Sequence, residues 1–165
     1  MKVWGVAAAF LKMEHEDKYL LLKRSATAKH FPDVWCGVGG GIEGDEFSEP
    51  KKAVIREIYE ETGIEENYIV NLRLKYIRVN RHTDHMEGIS YLYVYFAEAT
   101  KTDIWQTHEG TLEWIPREEL FDREFSPMES LLRHYFSEGM NTDNLYVCTT
   151  YNGIYTITPF NQWLR

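Results

Sequence analysis

At 165 residues, with 44% hydrophobic and 15% aromatic content, the chain is long enough for one domain with a proper core, and a single domain over 1–165 is the simplest organisation. Its formal net charge of −8 argues against broad or stable binding to DNA or RNA, although local Lys and Arg or a bound cation would still admit a small anionic substrate. No apolar run is long enough to span a bilayer, and the two cysteines, Cys36 and Cys148, make neither a zinc spacing nor a disulfide framework, so a cytoplasmic protein with reduced thiols and no membrane partner is expected.

Val3–Leu11 reads as a buried central strand, and Tyr19–Lys23 as a second strand antiparallel to it across a polar turn. Ser25–Asp33 is a loop, followed by the glycine-rich stretch 37–44 and a helix from about Glu49 to Thr62. Tyr68–Val79 and Ile89–Ala99 are β-rich, joined by the polar run Arg81–Gly88 as a hairpin loop. Thr100–Gly110 is a further loop before a short strand, Thr111–Ile115, and Pro116–Leu120 begins a helical turn. Met128, Leu131, Leu132, Tyr135 and Phe136 recur at helical spacing and predict a second helix over Ser126–Phe136. Leu145–Phe160 reads as a hairpin around Asn152-Gly153, a type I′ signal, serving as sheet extension or a dimer contact; it permits a homodimer without requiring one. The fold class is α+β, an α/β/α sandwich with a mixed sheet between helices and a C-terminal β-hairpin.

The densest chemical signal is Arg56-Glu57-Ile58-Tyr59-Glu60-Glu61-Thr62-Gly63-Ile64. Glu57, Glu60 and Glu61 fall at i, i+3 and i+4, within an arc of about 100° on a helix. Ile55, Ile58, Tyr59 and Thr62 lie on the other side and can face a core, and Gly63 is placed to end the helix. Like charges at this spacing destabilise a helix by roughly 0.2–0.5 kcal/mol per pair. A divalent cation held by oxygen, Mg²⁺ or Mn²⁺, would turn that repulsion into ligation. A solvated acidic face is the plainer reading of three glutamates alone, but the glycine-rich stretch upstream, with Gly40 and Glu46, favours the cation.

Together these residues resemble the signature of the Nudix hydrolase family, G-x5-E-x7-R-E-U-x-E-E-x-G-U with U aliphatic. Arg56–Ile64 match its second half completely, and Gly40 and Glu46 match its first, giving a box over about 40–64. The departure is a spacing of nine residues, not seven, between Glu46 and Arg56. The two extra residues are expected in Phe47-Ser48-Glu49-Pro50, with Ser48 as a plausible N-cap and Glu49 as an alternative to Glu46 in space.

The resemblance implies a Nudix-type fold and a Mg²⁺-dependent enzyme, with Mn²⁺ as substitute, that hydrolyses a nucleoside diphosphate linked to another group. It implies Glu57 and Glu61 as main metal ligands, Glu60 on a second ion or water, and the Gly40 carbonyl completing the first site. Arg56 would orient the glutamates, or simply form a surface pair with Glu60. Glu109 is the best match to a later-loop carboxylate that joins the metal, and Lys23 and Arg24 look like a phosphate-facing basic pair. The general base stays open among Glu57, Glu60, Glu109 and the loop bearing His82, Asp84 and His85.

The stretches Leu20–Arg24, Trp35–Gly40 and Glu109–Pro116 are similar to the MutT-type branch, over about residues 3–136. That likeness implies a nucleoside triphosphate, such as the oxidised purine 8-oxo-dGTP, cleaved to monophosphate and pyrophosphate. Trp35, Cys36 and Trp114 are the substrate-binding candidates. Trp114 would stack on the base or fill the core, with Tyr76 or Phe31 as lesser candidates. Cys36 stands where an asparagine can read the base edge, and is a poor hydrogen-bonding substitute. The alternatives are a Nudix pyrophosphatase for ADP-ribose, sugar nucleotides or dinucleotides, and, from another class, a non-catalytic nucleotide-sensing module. Such modules usually lose motif glutamates, and all three are present here.

Overall fold

The computed structural model describes residues 1–82, 87–151 and 154–164. Its centre is β1 (Lys2–Met13), whose run of small and branched apolar residues is buried on both faces. One edge of β1 pairs in parallel with β6 (Gly88–Ala99) along its whole length. Its other edge is shared: β4 (Val38–Gly41) pairs antiparallel with Val6–Ala9, and β2 (Lys18–Arg24) with Leu11 and Lys12. β3 (Trp35–Cys36) pairs with β2 at Leu22 and Lys23, so the chain passes from a β2 partner to a β1 partner across the single residue Gly37. The sheet therefore forks at this edge. β7 (Gly110–Pro116) extends the β2 arm, while β5 (Ile69–His82), β8 (Tyr146–Tyr151) and β9 (Ile154–Pro159) extend the far side.

α1 (Pro50–Thr62) covers one face, and α2 (Glu129–Ser137) covers the other. Strand side chains alternate between the two cores, as a period of two requires. Ala7, Ala9, Leu11, Leu20 and Leu22 meet Ala53, Val54 and Ile58 of α1, whereas Phe10, Tyr19, Leu21, Tyr76 and Phe96 meet Leu131 and Leu132 of α2. The mixed sheet between helices and the C-terminal hairpin are the expected architecture. β8 joins the sheet by parallel pairing with β5, so the hairpin is a sheet extension; its turn, Asn152-Gly153, lies outside the described residues. Among the described residues no helix is long and apolar enough to cross a membrane.

Several local expectations change. α1 begins at Pro50 with Glu49, not Ser48, in the cap position, because the extra residues fold into a 3₁₀ turn, Gly44–Ser48, where the Ser48 hydroxyl donates to Asp45 O. Tyr59 faces outward at 48% exposure, and Glu61 takes the inward position at 3%. α2 starts three residues later than the apolar spacing suggests, since Ser126-Pro127-Met128 form a turn in which Ser126 O accepts from Glu129 N–H. β5 carries two register shifts, between Val70 and Arg73 and between Leu74 and Tyr76.

Ile58 is fully buried where α1 meets β1 and β4. Ile58→Ala is expected to lower unfolding free energy by about 2–5 kcal/mol, as core truncations do, with no change of fold. Urea denaturation followed by circular dichroism checks this; a loss under about 1 kcal/mol would mean that α1 is not seated on this core.

Candidate active site

The helix phase brings Glu57, Glu60 and Glu61 to the fork in three different environments. Glu60 projects into solvent, with its side chain 55% exposed. Glu57 lies against the glycine strand: a Cβ added at Gly40 would come within 2.5 Å of Glu57 Oε1, so only glycine leaves room for this carboxylate. Glu61 is buried, and its Oε2 accepts from the Gly39 N–H at 2.8 Å. Burial raises the pKa of Glu57 despite the adjacent Arg56. Burial also pushes Glu61 far above the usual carboxylate range, and the charges of Glu109 and Glu57 push it further.

Arg56 is the hub. Its Nε and Nη2 donate to the two oxygens of Glu46, both at 2.9 Å. Nη1 donates to Glu57 Oε1 at 2.7 Å and Glu60 Oε2 at 3.1 Å, and Nη2 also donates to Gly41 O at 2.9 Å. These bonds engage all five N–H groups of a guanidinium. The bidentate contact removes the ambiguity left by the long spacing: Glu46 meets Arg56, while Glu49 turns away to an exposed pair with Lys52. Arg56 is therefore more than a surface partner of Glu60. The extra two residues lengthen the 3₁₀ turn and leave this contact intact.

The second arm of the fork supplies the remaining groups. The loop between β6 and β7 places Glu109 where its charge acts on Glu57, Glu61 and Cys36. Glu109 O accepts from Ser25 N–H at 2.9 Å, which ties the loop to the end of β2. There Lys23 is exposed and Arg24 is half-buried, its Nε donating to His30 O. Lys23 also pairs with Trp35 of β3. Trp35 is half-buried on the α2 face, with the Arg123 guanidinium 5.3 Å from its ring centroid.

Other expected site residues are placed elsewhere. Cys36 is a core residue: its thiol donates to Leu22 O at 3.6 Å, and burial pushes it up to about 12. Trp114 is half-buried, packs against the core under α1 and donates from Nε1 to Thr102 O. Tyr76 is fully buried with its hydroxyl on His134 Nδ1, and Phe31 is exposed with a positive φ of 49°. His82 packs at a tilt against Trp4 and hydrogen-bonds Ser90 at 2.8 Å; Asp84 and His85 lie outside the described residues. Glu46 was named from the motif with Glu49 as its alternative, and the contact with Arg56 favours Glu46. Trp105, a lone aromatic in a polar loop, went unassigned because it gave no periodic signal.

The donors fit a hard divalent cation. Glu61 Oε1 is buried with no hydrogen-bond partner, and an unpaired buried carboxylate oxygen is costly unless a cation or donor meets it. Glu57, Glu60, Glu61, Glu109 and the Gly40 backbone supply oxygen alone, which suits Mg²⁺ or Mn²⁺. Among the described residues no three of these carboxylates are already closed around one point, since Arg56 holds Glu57 and Glu60.

A model of the NUDIX domain matches residues 1–135. Diphosphoinositol polyphosphate phosphohydrolase 3-alpha of Mus musculus is 41% identical over 58 residues, 35% of this chain and 32% of that protein. The chain thus spans about a third of the length of the curated relatives it matches. Among solved structures, a MutT protein from Bacillus halodurans superposes with a TM-score of 0.70 at 23% identity, covering 93% of this chain and 97% of that one. The NUDIX domain of Shewanella oneidensis NrtR, complexed with ADP ribose, superposes at 0.63 with 19% identity, covering 84% and 87%.

The Arg56 contact, with the Glu43 backbone N–H, lowers the Glu46 carboxyl from 4.5 to about 2. A carboxylate depressed by folding stabilises the protein above its unfolded value and loses that contribution as pH falls through its folded value. Thermal melts should therefore show Glu46 stabilising fully above about pH 4.5 and progressively less toward pH 2. Glu46→Gln should lower Tm at pH 6 and flatten this part of the acid limb; an unchanged limb would mean that the contact is not held in solution.

Proposed function

The chain belongs to the Nudix family, and on that premise we propose that it is a divalent-metal-dependent hydrolase of substrates containing a diphosphate bond. The observation that carries this reading is the buried, unpartnered Glu61 oxygen beside a glycine strand, near enough to Glu57 and Glu109 to feel their charges. Our first reading of the substrate is a nucleoside triphosphate, including oxidised purine forms, cleaved to monophosphate and pyrophosphate. The MutT-type likeness of the flanking stretches supports it. ADP-ribose, sugar nucleotides and dinucleotides share the bond that is cleaved.

Glu57, Glu60, Glu61, Glu109 and Gly40 would hold the cation. When bound, Mg²⁺ or Mn²⁺ supplies charge neutralisation on the phosphates and acidifies the attacking water. Arg56 keeps Glu57 and Glu60 at fixed spacing by charge-assisted bonds, so little reorganisation is left for the reacting complex. Lys23 and Arg24 attract the phosphate chain in a protein whose overall charge would repel it. The water oxygen forms a bond to phosphorus, the bridging P–O bond breaks, and the diphosphate leaves with its electron pair. The water's proton passes to a carboxylate of the cluster, Glu57, Glu60 or Glu109. Positioning and electrostatics carry most of the catalysis in phosphoryl transfer.

A second reading follows from the 58-residue match to proteins named diphosphoinositol polyphosphate phosphohydrolases: a diphosphate carried on a multiply phosphorylated ring. It uses the same cluster and differs only in what flanks the diphosphate.

Both readings are tested by a Mg²⁺-dependent hydrolysis screen with product identification. The panel holds 8-oxo-dGTP, canonical NTPs and dNTPs, ADP-ribose, sugar nucleotides, dinucleotides and a diphosphoinositol phosphate. EDTA should abolish turnover and Mg²⁺ or Mn²⁺ restore it. Glu57→Gln should lose more than the roughly 10–100-fold typical of outer-shell partners, with its circular dichroism unchanged. Metal-independent turnover, or a near-normal rate in Glu57→Gln, would sink the mechanism. Metal binding without turnover of any substrate would favour a nucleotide-sensing role. Cys36→Asn should destabilise the fold and leave the order of substrate preference unaltered; a changed order would return Cys36 to the substrate pocket.

A further inference from the structure

The geometry points to Trp105 as a positioning residue that braces the Glu109 loop against the C-terminal end of α1, and so sets the spacing between Glu109 and the motif glutamates. This rests on the reading of Glu57, Glu60, Glu61 and Glu109 as one cation-binding set.

Trp105 is 47% exposed, yet it makes four contacts with one helix end. Its backbone N–H donates to Thr62 O at 3.1 Å, and its indole Nε1 donates to Glu60 O at 3.3 Å. Its ring meets Tyr59 edge-on at 5.5 Å between centroids. It also lies on Gly63, where an added Cβ would come within 2.8 Å of Cδ2. The last turn of a helix has carbonyls without helical partners. Gly63 N–H satisfies Tyr59 O, and Trp105 satisfies Glu60 O and Thr62 O. Gly63 is thus needed twice, for its left-handed φ of 75° and for the closeness of the indole.

The rest of the loop is tied to the other arm of the fork. The Gln106 side chain accepts from Leu112 N–H at 3.2 Å, Thr107 Oγ1 accepts from Glu109 N–H at 3.2 Å, and Ser25 N–H donates to Glu109 O. Between Trp105 and Glu109 the chain therefore bridges from α1 to β2 and β7. The loop carries Glu109 close enough to Glu57 and Glu61 for its charge to raise both carboxyls. Without Trp105, Gln106 and Ser25 would still hold the loop to the β-arm, but these contacts would no longer fix its distance from α1. The Nε1 donor is met by the carbonyl of Glu60 itself, so the brace acts one residue from Glu61.

Trp105→Phe keeps one aromatic ring for Tyr59 and the backbone bond to Thr62 O, and deletes the Nε1 donor together with part of the indole surface on Gly63. Three quantities are read on the full chain: Mn²⁺ affinity by electron paramagnetic resonance, deuterium uptake over residues 100–110, and kcat and KM on the best substrate of the screen. Trp105→Phe should weaken Mn²⁺ binding by about three- to ten-fold, toward the low end for residues that orient metal ligands. It should speed exchange at 106–110 and lower kcat by a similar factor with KM little changed. In a Glu109→Gln background it should weaken Mn²⁺ binding no further, because the two residues act as one unit. A lower Tm with unchanged Mn²⁺ affinity and loop exchange would make Trp105 merely structural and overturn the inference, as would independent, multiplying effects of the two substitutions. Wild-type Mn²⁺ affinity in Glu109→Gln alone would instead remove Glu109 from the cation set; loop exchange in Trp105→Phe then still decides whether the brace exists.

Discussion

The site depends on one guanidinium whose hydrogen-bonding capacity is filled. Arg56 joins the 3₁₀ turn through Glu46, the glycine strand through Gly41 O, and its own helix through Glu57 and Glu60. Three segments that approach the fork from different directions are thereby set at fixed distances. A lysine would keep the charge but could not reach these directions at once, because its ammonium is a point charge with three donors. The contact also offsets part of the repulsion among carboxylates that the helix phase forces together.

The fork itself follows from β1. A central strand with both edges paired leaves no opening, so the site forms where its edge passes from β4 to β2. The sequence meets this requirement with Gly37 at the crossing and Gly40 beside Glu57. One arm carries α1 and its glutamates, and the other carries Lys23, Trp35 and Glu109. Neither arm alone brings the proposed cation-binding carboxylates and the basic pair together.

Much of this was legible in the chain. Arg56–Ile64 fixed the helix phase and its end because periodicity and a C-terminal glycine are local signals, and the strands followed from runs of apolar residues. What was missed depends on tertiary packing. Cys36 and Trp114 sit beside motif residues in sequence, but strand alternation turns both toward the core under α1. Tyr59 and Glu61 exchanged expected places because a helix at a sheet fork has no single inward direction: its middle faces the core and its last turn faces the loop holding Trp105. Ser48 looked like a cap, but its hydroxyl was already committed to Asp45 O within the turn.

The three motif glutamates are equivalent in sequence, separated only by phase, and the fold makes them unequal. Glu60 stays in water, Glu57 lies at the sheet edge, and Glu61 is interior with one oxygen on Gly39 N–H and the other unmet. A buried carboxylate with half its acceptors unsatisfied lowers stability, and a core residue such as leucine at this helix position would pack without that cost. Retaining an acid there makes physical sense where a group from outside the chain completes its coordination. Arg56 ties the outer and middle acids together, and the inner one is fixed against the sheet.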